Sequence, residues 1–165
     1  MSALLGIEAT KVAAAPPSLV EQGKFGGAVR VMYDKYVFLA ADFTAGDTLK
    51  MGAPLPAGAT ILKAVLVTTA LGGSTSDLDV GWNASDDGVE AADTNGIFAA
   101  VVCDSAVSAY APSDTVAGGG ATVGTLSAFF HKKFESSVQI VITANGTCSN
   151  DAGDTVELEI WYTVE

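Results

Sequence analysis

Near its end the chain alternates almost without a break. Val156, Leu158, Ile160, Tyr162 and Val164 fall on one face of an extended segment, and Thr155, Glu157, Glu159, Trp161 and Thr163 fall on the other. A period of two held over ten residues marks a strand with one face on a core. Upstream, Val138, Ile140 and Ile142 alternate with Gln139, Val141 and Thr143. Residues 145–153 between them are rich in Gly, Asn, Asp and Ser, the composition of a turn, so the two segments predict a terminal hairpin. Residues 61–69 are apolar on both faces apart from Lys63 and the threonines, as expected of a strand near the middle of a sandwich. Leu78, Val80 and Trp82 alternate with Asp77, Asp79 and Gly81, which predicts a strand with one wet, acidic face.

Further short runs at 28–33, 36–41, 48–52, 97–103 and 125–131 bring the strand count to eight or nine. The 21 residues 104–124 contain Pro112 and Gly118-Gly119-Gly120, and read as a long flexible loop. Residues 1–24 differ from the rest. Residues 3–15 have the composition of a short helix, stopped by Pro16-Pro17 ahead of Gly23, Gly26 and Gly27, so this part reads as an N-terminal arm. Beyond it no helical periodicity of useful length appears, which argues against α/β folds. The expected fold is all-β, an antiparallel β-sandwich of 8–9 strands over residues 25–165, preceded by the arm over residues 1–24.

Length and composition narrow the picture. The 165 residues suit one core. The apolar fraction of 49% is ordinary for a globular chain, but the charged fraction of 16% lies well below the roughly 25% usual for soluble domains. Net charge is −11 and unevenly placed: residues 1–50 hold five acids and five bases, so residues 51–165 carry the whole imbalance. A surface of that sign repels phosphate backbones and anionic lipid, which argues against nucleic-acid and membrane partners. The longest mixed apolar segment, 61–71, is too short to span a bilayer, and residues 1–11 lack the basic and apolar regions of a signal peptide. Two cysteines, Cys103 and Cys148, could form one bridge if they are neighbours in space, but they are too few for a disulfide-built scaffold, and two buried free thiols are the simpler reading.

Candidate chemistry is sparse. His131 is the only histidine, beside Lys132 and Lys133, and no serine or cysteine motif surrounds it. The glycine fingerprints of nucleotide sites, HExxH and CxxC are absent, so no catalytic, cofactor-binding or metal-ligating residue is assigned, and no enzymatic activity is expected. Asp77, Asp79, Asp86, Asp87, Glu90 and Asp93 crowd one window without a base among them. Carboxylates on loops suit calcium, yet the EF-hand order of ligands is missing, and a solvated acidic loop is the simpler reading. Trp82, Trp161, Tyr110 and Tyr162 are the aromatics that a sugar-binding sandwich would use. Trp161 is the one expected to be exposed, because it lies among Glu157, Glu159 and Thr163, and exposed aromatics are enriched at protein interfaces.

Residues 41–82 run from Gly46-Asp47 through Leu55-Pro56-Ala57-Gly58-Ala59 to an apolar strand, a Gly-rich turn and the alternating Leu78-Asp79-Val80-Gly81. This stretch resembles small structural proteins of tailed-phage virions, and the closing residues 138–164, ending in ELEIWYTV, are similar to the end of such proteins. The two stretches cover about two-fifths of the chain. The resemblance implies a jelly-roll or related sandwich of the capsid decoration or cement type. Such a protein is made in the host cytoplasm and assembles, often as a homotrimer, on the outer capsid surface, bridging subunits of the major capsid protein. On that reading the neutral segment 1–50 docks and the acidic remainder faces solvent. A head fibre, a tail or receptor-binding module, and a carbohydrate-binding sandwich are the alternatives.

Overall fold

Nine strands order the chain in a computed structural model that describes residues 28–39, 43–72, 77–111, 116–117, 132–146 and 148–164. They are β1 (Arg30–Val37), β2 (Thr48–Leu55), β3 (Ala59–Thr68), β4 (Asp77–Trp82), β5 (Asp93–Val102), β6 (Val107–Ala111), β7 (Val116–Ala117), β8 (Val138–Ala144) and β9 (Thr155–Val164). The arm over residues 1–24, its short helix, the glycine run at 118–120, the strand expected at 125–131 and His131 lie outside the described residues.

The strands form two antiparallel sheets, one ordered β1-β9-β3-β6-β7 and the other β2-β8-β4-β5. The pairing is nested. β1 pairs with β9, β2 with β8, β3 with β6 and β4 with β5, so successive pairs fall alternately in one sheet and the other. Bonds from β9 to β3 and from β8 to β4 join the pairs within each sheet. The result is the all-β sandwich that the alternation predicted.

β1 to β6, β8 and β9 each turn one face inward, and the two inward faces make the core. Met32, Ile61, Leu66, Val107, Val156, Leu158 and Ile160 come from one sheet, and Met51, Leu55, Leu78, Val80, Phe98, Val138, Ile140 and Ile142 from the other. Each large side chain removed from water contributes about 1.5–3 kcal/mol before entropy is counted. Phe38, Phe43 and Phe134 join the same cluster from the connections. β3 sits between β9 and β6, the interior position expected from its apolar character. On β9, Val156, Leu158 and Ile160 are buried as the alternation requires.

Four expectations are corrected. Residues 145–153 do not close a hairpin: β8 and β9 belong to different sheets. The connection crosses between them, and its backbone bonds to neighbouring loops, Ser149 N–H donating to Leu71 O at 2.8 Å and Gly153 N–H to Phe38 O at 2.9 Å. Residues 104–124 are not one loop, because β6 lies within them and pairs with β3, burying Val107, Ala109 and Ala111. The runs 28–33 and 36–41 are a single strand, β1, continuous through Asp34 and Lys35. Finally, the Asp79 face of β4 is not wet. Asp79 is buried and accepts the Ala100 N–H at 2.7 Å, where β5 bulges and Ala100 takes φ of 50°.

β1 is continuous because its register with β9 runs unbroken through Asp34 and Lys35, and the Asp34 carboxylate is bonded on both oxygens. Its Oδ2 accepts the Gly52 N–H of β2 at 2.7 Å and its Oδ1 accepts the Lys35 N–H at 2.8 Å. One carboxylate thus ties the edge strands of the two sheets together. It also occupies a backbone donor on an edge that would otherwise invite another strand.

Cys103 and Cys148 are free and buried. Burial pushes the Cys103 thiol up to about 12 and raises Cys148 as well, so neither forms thiolate readily near neutrality. A thiol reagent at pH 8 is expected to label neither cysteine in the folded protein within minutes and both in denaturant. Rapid native labelling of either would contradict the burial.

Candidate functional site

The acidic window holds a dense polar network among the described residues, and two of its carboxylates, Asp87 and Glu90, are engaged from a distant segment. Asp87 Oδ1 accepts the Ser85 hydroxyl at 2.6 Å and the Val89 N–H at 3.1 Å, and Oδ2 accepts the Ser136 hydroxyl. These donors, Ser136 foremost, hold Asp87 down at about 2. Glu90 is only 7% exposed. It accepts the Glu135 N–H on Oε1 at 2.7 Å and the Lys132 ammonium on Oε2 at 2.9 Å. Lys132 in turn lies 5.6 Å from the Trp82 ring centre and 5.3 Å from that of Phe134, a cation–π arrangement.

The solvated acidic loop expected from sequence is therefore a staple fastening the β4–β5 connection to residues 132–136. Among the described residues no group of three or more His, Cys, Asp or Glu is placed to hold a metal ion. A shallow cleft of about 280 Å³ beside the staple is lined by Lys50, Pro54, Asn83, Asp86, Asp87 and Gln139. Ser85 and Ser137 line it as well, and the Ser85 hydroxyl is bonded to Asp87 as part of the staple.

The aromatics separate into two sets. Trp82 is buried, donates its indole N–H to Ala91 O at 3.1 Å, and packs edge-on to Phe134 with ring centres 5.1 Å apart. Tyr162 packs against the core. Trp161 and Tyr110 remain exposed, on β9 and β6, two strands apart on the outer face of the five-stranded sheet. A sugar platform made from all four is thereby removed.

That outer face is the most distinctive surface of the described residues. The register places Val31 opposite Trp161 and Trp161 opposite Lys63, then Tyr33, Glu159, Val65 and Tyr110 in the next row, then Lys35, Glu157, Val67 and Ser108. Exposure is 54% at Val31, 58% at Tyr33, 37% at Val67, 40% at Tyr110 and 37% at Trp161, high for large apolar or aromatic side chains sharing one sheet face. Sequence reasoning found Trp161 but missed Val31 and Tyr33, because β1 is mixed on both faces.

The charges of this face answer one another. Glu157 accepts the Lys35 ammonium at 2.7 Å and the Tyr33 hydroxyl at 3.0 Å. Those bonds, Lys35 first, lower the Glu157 carboxyl below its ordinary range, while Glu157 raises both Lys35 and Tyr33. Lys63 sits 4.7 Å from the Trp161 ring centre, and the Trp161 indole N–H donates to Glu159. Tyr33 and Trp161 are held in place by polar partners, which reduces the ordering cost of a contact made through them.

Fold and surface together define a two-layer antiparallel sandwich with aromatic side chains exposed on one outer face. The fold is similar to that of a chain in the capsid asymmetric unit of cyanophage Pam1, with TM-score 0.59 and 20% identity over 92% of this chain and 96% of that one. It is also similar to a chain in the capsid of Ralstonia phage GP4, with TM-score 0.61 and 23% identity over 84% and 86%. No protein-family model matches the sequence, and no curated protein matches it.

Proposed function

We propose that the protein is a non-enzymatic structural component of a phage virion that decorates or cements the outer capsid surface by docking on the major capsid protein. The observation that carries this reading is the extent of the fold correspondence, which runs through nearly the whole of a chain in a phage capsid. Fold alone does not assign function, but three features agree with a capsid role. The nested pairing resembles the winding of a jelly roll, an architecture common in viral capsids. The polar cluster is spent on fastening a loop. The largest unusual surface is an aromatic face suited to protein contact. Assembly as a homotrimer on the shell belongs to the same proposal.

Quantitative mass spectrometry of purified virions tests it. The chain is expected at a copy number comparable to that of the coat protein, and antibody against it should label the outside of intact particles. Absence from virions would overturn the reading. A copy number far below that of coat would move the protein to a fibre or tail.

A further inference from the structure

We infer that the outer face of the five-stranded sheet is a self-association surface whose occupant is a second copy of this chain. Charge is the first argument. The chain carries −11 overall, so most ways of bringing two copies together set like charges against each other. The outer face is an exception: Lys35 and Lys63 balance Glu157 and Glu159. Each is already engaged with a neighbour on the same face, through the Lys35–Glu157 pair, the Lys63–Trp161 stack and the Trp161 bond to Glu159. The acidic residues Asp77, Asp79, Asp86, Asp87, Glu90 and Asp93 lie instead on β4, at the start of β5 and on the loop between them. A face that is neutral and carries equal numbers of both signs sets no net like charge against a second copy.

Size is the second argument. β1, β9, β3 and β6, of eight, ten, ten and five residues, at about 4.8 Å spacing and about 3.4 Å per residue give a face of roughly 500 Å² in projection, which side-chain relief brings toward the ~800 Å² per partner of a standard interface. Its composition fits as well. Tyr33, Tyr110 and Trp161 stand among Val31, Val65 and Val67, the aromatic and aliphatic mixture of an interface centre, with the charged pairs interspersed.

Self-association is a property of the isolated chain, so its test separates from that of the capsid reading. Sedimentation velocity on the purified chain is expected to show an oligomer with a dissociation constant in the micromolar range or tighter. The double substitution Val31→Glu with Val67→Glu is expected to weaken association at least about 100-fold, because it brings two new carboxylates from each copy into the contact. Lys50→Glu, which changes net charge by the same two units from β2 in the other sheet, is expected to leave association within a few-fold of the wild type. Fluorescence needs no variant. Trp82 is already buried, so a blue shift and loss of acrylamide quenching as concentration rises would report Trp161 becoming covered.

A chain that stays monomeric overturns the inference. So does one that associates with Trp161 still quenched, or a folded double variant that associates as the wild type does. The inference rests on the homo-oligomer proposed above and names its face: a monomeric chain found abundantly on virions would sink this inference and the homotrimer with it, and leave the docking on the capsid standing. An oligomer assembled through this face but absent from virions would do the reverse.

Discussion

Gly81→Ala is expected to destabilise the protein by about 3 kcal/mol or more, lowering the melting temperature by roughly 10 °C. Gly81 lies in β4 where the start of β5 crosses its outer side. The register shows the crossing directly, because Val80 pairs with Phe98 and Trp82 with Asp93, so five steps along β5 answer two along β4. A Cβ on Gly81 would fall on the Asp93 carbonyl oxygen, 2.6 Å from the Thr94 carbonyl carbon and 2.9 Å from the Asn95 nitrogen. These are backbone atoms, so no rotamer change relieves the clash. The crossing itself would have to lift, and it leads directly into Ile97 and Phe98, both in the core.

Gly88→Ala is the internal comparison. Gly88 has φ of 74°, but a Cβ added there would meet nothing within 4 Å, so only backbone strain of about 1 kcal/mol is expected. Thermal denaturation of the two variants measures the difference. Equal melting temperatures would mean that β5 does not press on Gly81.

Much of the fold was legible because burial imposes a period. β9 was readable from Val156 to Val164, and β3 from being apolar on both faces, since each pattern reflects which sides of the strand meet the core. Partners were less legible than strands. Alternation in 138–143 and 155–164 says that both segments are extended and half-buried, but not that they pair. Sheet membership is decided by bonds such as Ser149 N–H to Leu71 O, between residues far apart in sequence. β6 was missed for another reason: its inward residues are Val107, Ala109 and Ala111, and alanine gives a weak apolar signal beside Ser108.

The candidate site was half legible. Trp161 stood out as an aromatic on a polar face, and its exposure followed. Val31 and Tyr33 did not stand out, since the inward set of β1 is Met32, Asp34 and Tyr36, hardly more apolar than the outward set Val31, Tyr33, Lys35 and Val37. The acidic window looked uncompensated because its donors, Lys132, the Glu135 N–H and Ser136, arrive from more than forty residues away. A tally of charges within one window cannot register them.

Those distant donors make acid the condition to which the fold should be most sensitive. Asp87 is held at about 2, below its ordinary 3.8, by the Ser136 and Ser85 hydroxyls and the Val89 N–H. For Glu90, burial opposes ionisation, yet the Glu135 N–H and Lys132 outweigh it and leave the carboxyl below its ordinary value. A carboxylate with a lowered folded pKa binds fewer protons folded than unfolded between the two values. Its stabilisation is therefore complete above the unfolded pKa and is lost as pH falls through the folded one. Stability is expected to be nearly flat above about pH 5 and to fall steeply between about 4 and 2.

Asp87→Asn should melt below the wild type at pH 7 and show a shallower acid decline, the two curves converging near the lower end of that window. Glu90→Gln removes the charge that Lys132 faces beside Trp82 and Phe134. It is expected to cost about 2 kcal/mol at neutral pH, since Gln keeps an acceptor for the Glu135 N–H but leaves the part-buried Lys132 ammonium without its counter-charge. Denaturation of the three proteins across pH 2–7 decides the matter. Parallel curves for wild type and Asp87→Asn would show that the staple does not set the acid response, and that the fold's acid sensitivity lies in other carboxylates such as Glu157 or Asp47, both also held below their ordinary range.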